Sequence, residues 1–403
     1  MSIRVDYLIV GAGIIGINIA LELRRRFPNA VIALADKEAG AGHHASGRNS
    51  GVLHAGFYYP ADSLKARFTR EGNRLMREYC LEHGLPINPC GKLVVAVSEQ
   101  DLAGVEQLKE RARANQVILE SMDPATAKKM EPALQNPLAV LYAPTTAVID
   151  PKAVMASQLT QAATAGIKLF FHAPFRGRTA TGIRIGHEVM TCGYFINAAG
   201  LYADQIARNF GFSKDMAILP FKGLYLKLGM NPDKIRTHIY PVPDLNNPFL
   251  GVHYTVTVDG GIKIGPTALP ALWREHYRGW SGFNPIEMMD ILVREGRLFL
   301  NNRFGFRHLA LQEMKKMSKR TMLQFASALA IPPGPIDAWH WGPAGIRAQL
   351  IRLGDHSLVM DFHFEGDQRS FHILNAVSPG LTCSIPFARH ACDRIASLMA
   401  GNT

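Results

Sequence analysis

The sequence GAGIIG at Gly11–Gly16 stands between an apolar, β-branched run, Val5–Val10, and a helical pattern, Ile14–Phe27. Few folds accommodate that order. Gly11 permits a tight turn, Gly13 lets the backbone approach a pyrophosphate, and Gly16 lets the helix pack on the strand. The helix start, with Ile14 and Ile15 in its first turn, then offers free N–H groups and a positive dipole end to phosphate. A second strand, Val31–Ala35, ends at Asp36 and Lys37, about 20 residues beyond Gly16, where an acid binds ribose hydroxyls. The cluster Arg24–Arg26 suits the helix C-terminus, and Pro28 stops it. The unit reads as a βαβ site for an adenine dinucleotide.

The rest of the chain must supply partners for that unit. At 403 residues it has room for roughly two or three domain-sized bodies. A composition of 47% hydrophobic and 19% charged residues is that of a globular protein. No apolar run reaches the ~18–20 residues of a membrane-spanning helix. The nearest, Tyr7–Leu21, is broken by Gly11, Gly13 and Gly16, and Asp6 stands where a signal peptide would be basic. The five cysteines, Cys80, Cys90, Cys192, Cys383 and Cys392, are odd in number and lack C-x-x-C spacing. They imply reduced thiols in a cytoplasmic protein, with neither a disulfide frame nor a metal site. The net charge of +11 suits acidic small molecules or anionic lipid. No nucleic-acid-binding pattern accompanies it, so no nucleic acid is expected as partner.

Further elements follow from periodicity and punctuation. Helices are expected at Ser63–His83, Glu99–Asn115 and from Pro151 to about Ala165, and strands at Lys92–Val97 and Tyr194–Ala198. Beyond Phe210 the texture becomes that of antiparallel strands: Gly223–Leu228, Gly251–Val258 and Gly261–Gly265. Pro285–Phe325 reads as largely helical, Leu358–Phe364 and Phe371–Val377 as strands, and Ser384–Met399 as a final helix.

Three further turns bear on the choice of dinucleotide. In GRNSGVLHAGFYY, Gly47–Tyr59, short polar residues and glycines suit contact with a flat ring: Ser46, Arg48, Asn49, Ser50 and Val52 lie in or beside it. YFINAAGLYAD, Tyr194–Asp204, is a second strand-to-glycine-to-helix turn carrying Ala199 and Gly200. SPGLTCS, Ser378–Ser384, places Pro379, Gly380, Leu381 and Thr382 before the last helix, and Gly345 lies in GPAGIRAQL, Gly342–Leu350. Together these stretches resemble the D-amino-acid-oxidase-like flavoproteins along the whole chain. The resemblance implies FAD as cofactor. It also implies an α/β fold in which an FAD-binding Rossmann-like domain of glutathione-reductase type is interleaved with an α+β substrate domain built on an antiparallel sheet. Residues 1–85, 148–215 and 340–403 are expected in the first domain, and 86–147 and 216–339 in the second.

Within that superfamily several stretches look like the L-2-hydroxyglutarate dehydrogenases or oxidases: NSGVLHAGFYYPADSLKA (Asn49–Ala66), CGKLVVA (Cys90–Ala96), PFKGLYLKL (Pro220–Leu228), FLGVHYT (Phe249–Thr255), IKIGPTALPALWREHYR (Ile262–Arg278) and GPAGIRAQL. Asp36 departs from the glutamate more usual there, and Lys222 from an arginine. The resemblance implies oxidation of a 2-hydroxy acid, L-2-hydroxyglutarate to 2-oxoglutarate, by hydride transfer to flavin N5 with a histidine base. Arg347 is the expected carboxylate clamp, because a guanidinium offers a two-bond fork. His253 and His54 compete for the base, with a slight preference for His253 and with His54 as flavin neighbour. Lys222, Lys65 and Arg274 are candidate second cations for a dicarboxylate, with Tyr59 and Tyr225 as donors.

The acceptor of the electrons is oxygen or a membrane quinone. From Arg303 to Ala330, Arg307, Lys315, Lys316, Lys319 and Arg320 alternate with apolar residues, a pattern that permits peripheral contact with the inner face of the plasma membrane. The competing readings are an FAD-dependent amine or amino-acid oxidase and a glycerol-3-phosphate dehydrogenase-like enzyme. A flavin-containing tRNA-modifying protein has only the basic charge in its favour.

Overall fold

The computed structural model describes residues 3–229, 235–244, 251–302 and 305–401. Phe249 and Leu250 of the FLGVHYT stretch, and Arg303 of the basic segment, lie outside the described residues. The chain divides into two compact units, one of residues 1–49, 151–220 and 347–403 and the other of 50–150 and 221–346. The expected domain limit at residue 85 therefore differs from the limit of compaction at 49. The cause is local: Val52–Leu53 pairs with Ala147–Ile149, and the loop that follows it is held by helices of the second unit.

The first unit is built on five parallel strands in the order Lys168–Phe170, Ile32–Ala35, Ile3–Val10, Glu188–Asn197 and Ser370–Asn375. Glu188–Asn197 begins earlier than its apolar part suggests. Its first residues pair with the hairpin Phe175–Thr179/Gly182–Ile185, and its last residues with Ser370–Asn375. The helix Ile14–Arg26 packs against Pro151–Thr164 and Gly380–Met399. Ile17 and Ile19 are fully buried there, each contributing about 2 kcal/mol of apolar burial. The buried amide of Asn18 donates to Gln158 Oε1 at 2.8 Å, and Arg26 reaches Asp393 on the last helix at 2.7 Å.

The second unit centres on a mixed eight-stranded sheet. Its central strands run His340–Trp341, Leu226–Leu228, Ile262–Gly265, His253–Val256, His238–Pro241, Lys92–Ala96 and Ala139–Ala143, antiparallel except that His238–Pro241 lies parallel to Lys92–Ala96. Side chains alternate between the faces of a strand, and here the alternation sorts by chemistry. Leu93, Val95, Ile239, Tyr254, Ile262 and Ile264 point into one apolar core with Met322 and Trp339. The residues of opposite parity, Lys92, His238, Tyr240, His253, Thr255 and Lys263, share the other face. The helix Glu99–Ala114, opened by a Ser98–Asp101 capping box, covers part of that face through Val105, Leu108 and Ala112. The long helical stretch after Pro285 resolves into Pro285–Asn301, Phe306–Lys315 and Lys319–Ser327.

Candidate active site

In the first unit the glycine loop is closed on itself. A Cβ at Gly16 would stand 1.9 Å from the carbonyl oxygen of Gly11, and one at Gly11 would stand 2.3 Å from that of Ala198. Gly11 also has φ +109°, which only glycine adopts without strain. Asp36 is half-buried at the tip of the second strand. Its Oδ2 accepts from Ala12 N–H at 2.7 Å and its Oδ1 from Glu38 N–H at 2.9 Å, so the acid is locked beside the loop. Ser46 Oγ accepts from Ile14 N–H at 2.9 Å, in the first turn of the helix. Asn49 donates to the carbonyls of Ala45 and Ser46, and Arg48 to that of His43. Lys37 pairs with Glu38 and lies over the Tyr202 ring. Burial pushes the Glu38 carboxyl up, but hydrogen bonds from Lys37 and His44 outweigh it and hold Glu38 at about 2.

Around Gly200 (φ +55°) and Gly380 there is open space where a side chain would stand. The last helix starts at Gly380, earlier than expected, so Pro379, Leu381 and Thr382 form its N-terminus. A glycine-lined loop, a helix start whose N-cap is Gly13 and a fixed acid at a strand tip suit a pyrophosphate and ribose. Arg347 is half-buried on the strand Gly345–Arg352, at the start of the unit's last segment.

In the second unit, the stretch Leu53–Tyr59 runs against the polar face of the sheet. Three side chains hold its backbone: Asn73 donates to the carbonyls of Leu53 and His54 at 3.1 Å, Asn115 to those of Gly56 and Tyr59 at 2.9 Å, and Arg111 to that of Tyr58. The loop thereby holds His54, which is half-buried. His54 Nδ1 faces Lys92 Nζ at 3.4 Å. Burial, together with the neighbouring Lys92, His253 and His238, pushes the His54 imidazole well below its ordinary value.

Lys92 is fully buried. It lies over the Tyr240 ring at 4.1 Å, with Tyr58 at 5.2 Å and Phe57 at 5.8 Å. Among the described residues no carboxylate pairs with it, and burial brings it down to about 7. His238 Nδ1 accepts from Val256 N–H at 3.1 Å, so its proton sits on Nε2, 3.4 Å from Cys90 Sγ. Burial pushes His238 down and raises the Cys90 thiol to about 11, so both are neutral near pH 7. His253 is buried, and its Nδ1 donates to the Gly251 carbonyl at 2.8 Å. In its neutral form Nε2 is then the accepting nitrogen. Lys263, brought down to about 8 by burial and by Lys227, faces the Ser50 carbonyl at 3.4 Å.

The remaining expected residues are more dispersed. Val52 is buried in a short strand, while Ser50 and Gly345 are half-buried. Lys222, at the end of Met216–Gly223, is half-buried and pushed down by that burial; Tyr225 follows in the next turn. Lys65 lies over the Tyr59 ring at 6.0 Å. Arg274 is buried with Glu287, 3.9 Å away, which makes it a poorer substrate cation than Lys222. Lys316, expected on a basic face, turns inward to Glu313 instead, and Glu313 in turn caps the Ala268 N–H. Sequence reasoning passed over Lys92, His238, Tyr240 and Lys263. Their signal was parity: in KLVVA, HIYP, HYTV and IKIG the polar residues occupy the positions that apolar packing leaves vacant.

The chain resembles L-2-hydroxyglutarate dehydrogenase of Salmonella houtenae, 34% identical over 98% of this chain and 93% of that protein. The mitochondrial L-2-hydroxyglutarate dehydrogenase of Homo sapiens is 35% identical, over 97% of this chain and 88% of its own length. In fold, the chain is similar to the FAD-bound L-alpha-glycerophosphate oxidase of Mycoplasma pneumoniae, with a TM-score of 0.77 at 22% identity, covering 98% of this chain and 95% of that one. The fold is thus the expected one, an FAD domain with an antiparallel-sheet substrate domain. The family described as DAO, FAD dependent oxidoreductase, matches residues 6–394, so the chain belongs to this family and FAD is its cofactor.

Proposed function

We propose that the protein oxidises L-2-hydroxyglutarate to 2-oxoglutarate. The observation that carries the reading is the histidine-rich face of the second unit, where, among the described residues, no carboxylate pairs with Lys92. Removing a proton from a substrate hydroxyl near neutrality needs an uncharged base, and His54 is held neutral there. When bound, FAD supplies the two-electron oxidation. The glycine loop, Asp36 and the turns at Gly200 and Gly380 hold it. His54 takes the hydroxyl proton at Nε2; it is half-buried, whereas His253, the initial preference, is buried and stacked on Tyr240. Arg347 holds the substrate carboxylate, and Lys222 the second one. Support for the five-carbon dicarboxylate comes from the relatives, which carry that substrate in their names at 34–35% identity.

The test is anaerobic mixing of the yellow holoenzyme with L-2-hydroxyglutarate, D-2-hydroxyglutarate, L-lactate, glycine and glycerol 3-phosphate. Bleaching by L-2-hydroxyglutarate is expected, and bleaching only by another compound overturns the substrate.

The electron acceptor is a separate question. The helices Pro285–Asn301, Phe306–Lys315 and Lys319–Ser327 expose Ile286, Leu300, Met314 and Phe325, with Met317 exposed between the last two, beside the exposed Arg307, Lys315 and Arg320. This combination favours a membrane quinone reached by peripheral docking; no helix among the described residues is long and apolar enough to cross a membrane. Co-sedimentation with anionic vesicles, absent with neutral ones, is the expected result.

A further inference from the structure

We propose that Lys92 is the proton outlet of the site: a buried lysine that receives, through His54, the proton released by the substrate hydroxyl. The proposal rests on the reading of His54 as base and adds the group behind it. Its foundation is geometric. Lys92 Nζ is 3.4 Å from His54 Nδ1, on the side of the imidazole away from Nε2. A lysine buried for structural reasons ordinarily has an acid as partner. Lys92 instead faces the rings of Tyr240, Tyr58 and Phe57. Aromatic faces attract an ammonium without pinning it in that state, as a carboxylate would. The site can therefore hold Lys92 neutral before reaction and charged after it.

The other groups around Lys92 are held by burial or by backbone hydrogen bonds. Cys90 and the tyrosines Tyr58 and Tyr240 are pushed up by burial and stay protonated. His238 is fixed with its proton on Nε2 toward Cys90. His253 has Nδ1 turned to the Gly251 carbonyl.

In the step itself, the substrate O–H bond breaks as His54 Nε2 takes the proton. The oxygen's electron pair forms the carbonyl, and the Cα hydride leaves with its pair to the FAD of the family's redox activity. His54 passes its Nδ1 proton to the Lys92 amine, which becomes ammonium. His54 ends neutral with its tautomer exchanged, and the charge created by oxidation resides on Lys92 until water removes it after turnover.

Two measurements on the holoenzyme test this. In the first, the protein is labelled with carbon-13 at lysine Cε and titrated in the oxidised, substrate-free state. One signal, missing from Lys92→Met or Lys92→Arg, should titrate near pH 7; a Lys92 signal that titrates only in the ordinary lysine range overturns the proposal. In the second, flavin reduction is followed in single turnover with whichever hydroxy acid bleaches the flavin. In the wild type the rate should rise as pH passes through about 7. Lys92→Met and Lys92→Arg should be about 10–100-fold slower at saturating substrate with KM little changed, and should lose the inflection. A Lys92→Met enzyme that keeps the wild-type rate and pH profile overturns the relay. If no hydroxy acid bleaches the wild type, the substrate reading fails, while the labelled titration still decides whether Lys92 is poised.

Discussion

The His253 imidazole lies face to face with the phenol of Tyr240, ring centroids 3.8 Å apart and planes 19° from parallel. Lys92 Nζ lies over the same phenol, 4.1 Å from its centre, so one tyrosine touches both basic groups. Stacking and the bond to Gly251 fix the tilt of His253, and they also cover it. Covered histidines position; open ones react. His54→Ala is therefore expected to lower the rate of flavin reduction about 10²–10⁴-fold, and His253→Ala by less, with a larger effect on thermal stability. Stopped-flow reduction of both variants decides the order, and a reversed order returns the base to His253.

Arg347→Lys is expected to reduce kcat/KM for a hydroxy acid by ~2–4 kcal/mol, since lysine keeps the charge but not the planar fork. Flavin content should stay at the wild-type level. Unchanged kinetics would remove Arg347 from the site.

Gly16→Ala should be among the most damaging small substitutions in the chain. The added Cβ would meet the Gly11 carbonyl oxygen, a backbone atom that cannot swing aside. A loss of more than about 3 kcal/mol is expected, read as insoluble or colourless protein. Gly200→Ala, with open space but φ +55°, should cost about 1–2 kcal/mol and leave a yellow protein of lower Tm.

Glu295 supplies a pH test remote from the chemistry. Burial raises its carboxyl to about 8, and its Oε1 has no hydrogen-bond partner among the described residues. The folded state thus holds a proton that the unfolded state releases near pH 4.5. Stability is highest below that value, falls as pH rises toward about 8, and then levels off. Glu295→Gln should raise Tm near pH 8, by the equivalent of about 1–3 kcal/mol, with no gain near pH 4. A gain independent of pH would mean that the carboxyl is not buried in its neutral form.

The glycine loop was legible because its spacing is local: Gly16 answers a contact with Gly11, and Gly11 one at the end of the neighbouring strand. The polar face of the second unit was not, although every residue on it was in view. Placing Lys92 beside His238 requires the parallel register of two strands separated by most of the unit, and no window of sequence contains that register. A last helix starting at Ser384, as expected from the sequence, would put Pro386 in the first turn, where proline is tolerated. The structure starts the helix at Gly380 and carries the proline inside it. Leu358–Phe364 was expected as a strand, but the strand is His363–Gly366, with Leu358 only bridging Ile351.

The packing of the helix Ile14–Arg26 against Gly380–Met399 has a consequence for synthesis. The helix Ile14–Arg26 is mostly apolar on its inward side, and the helix that covers it is made long after it. Until then the nascent chain carries that apolar face uncovered, and the strand Ser370–Asn375 that completes the parallel sheet arrives almost as late. Losing the C-terminal helix would not trim a tail. It would leave the dinucleotide loop on a helix with no floor, a chain for chaperones and proteases rather than a smaller enzyme.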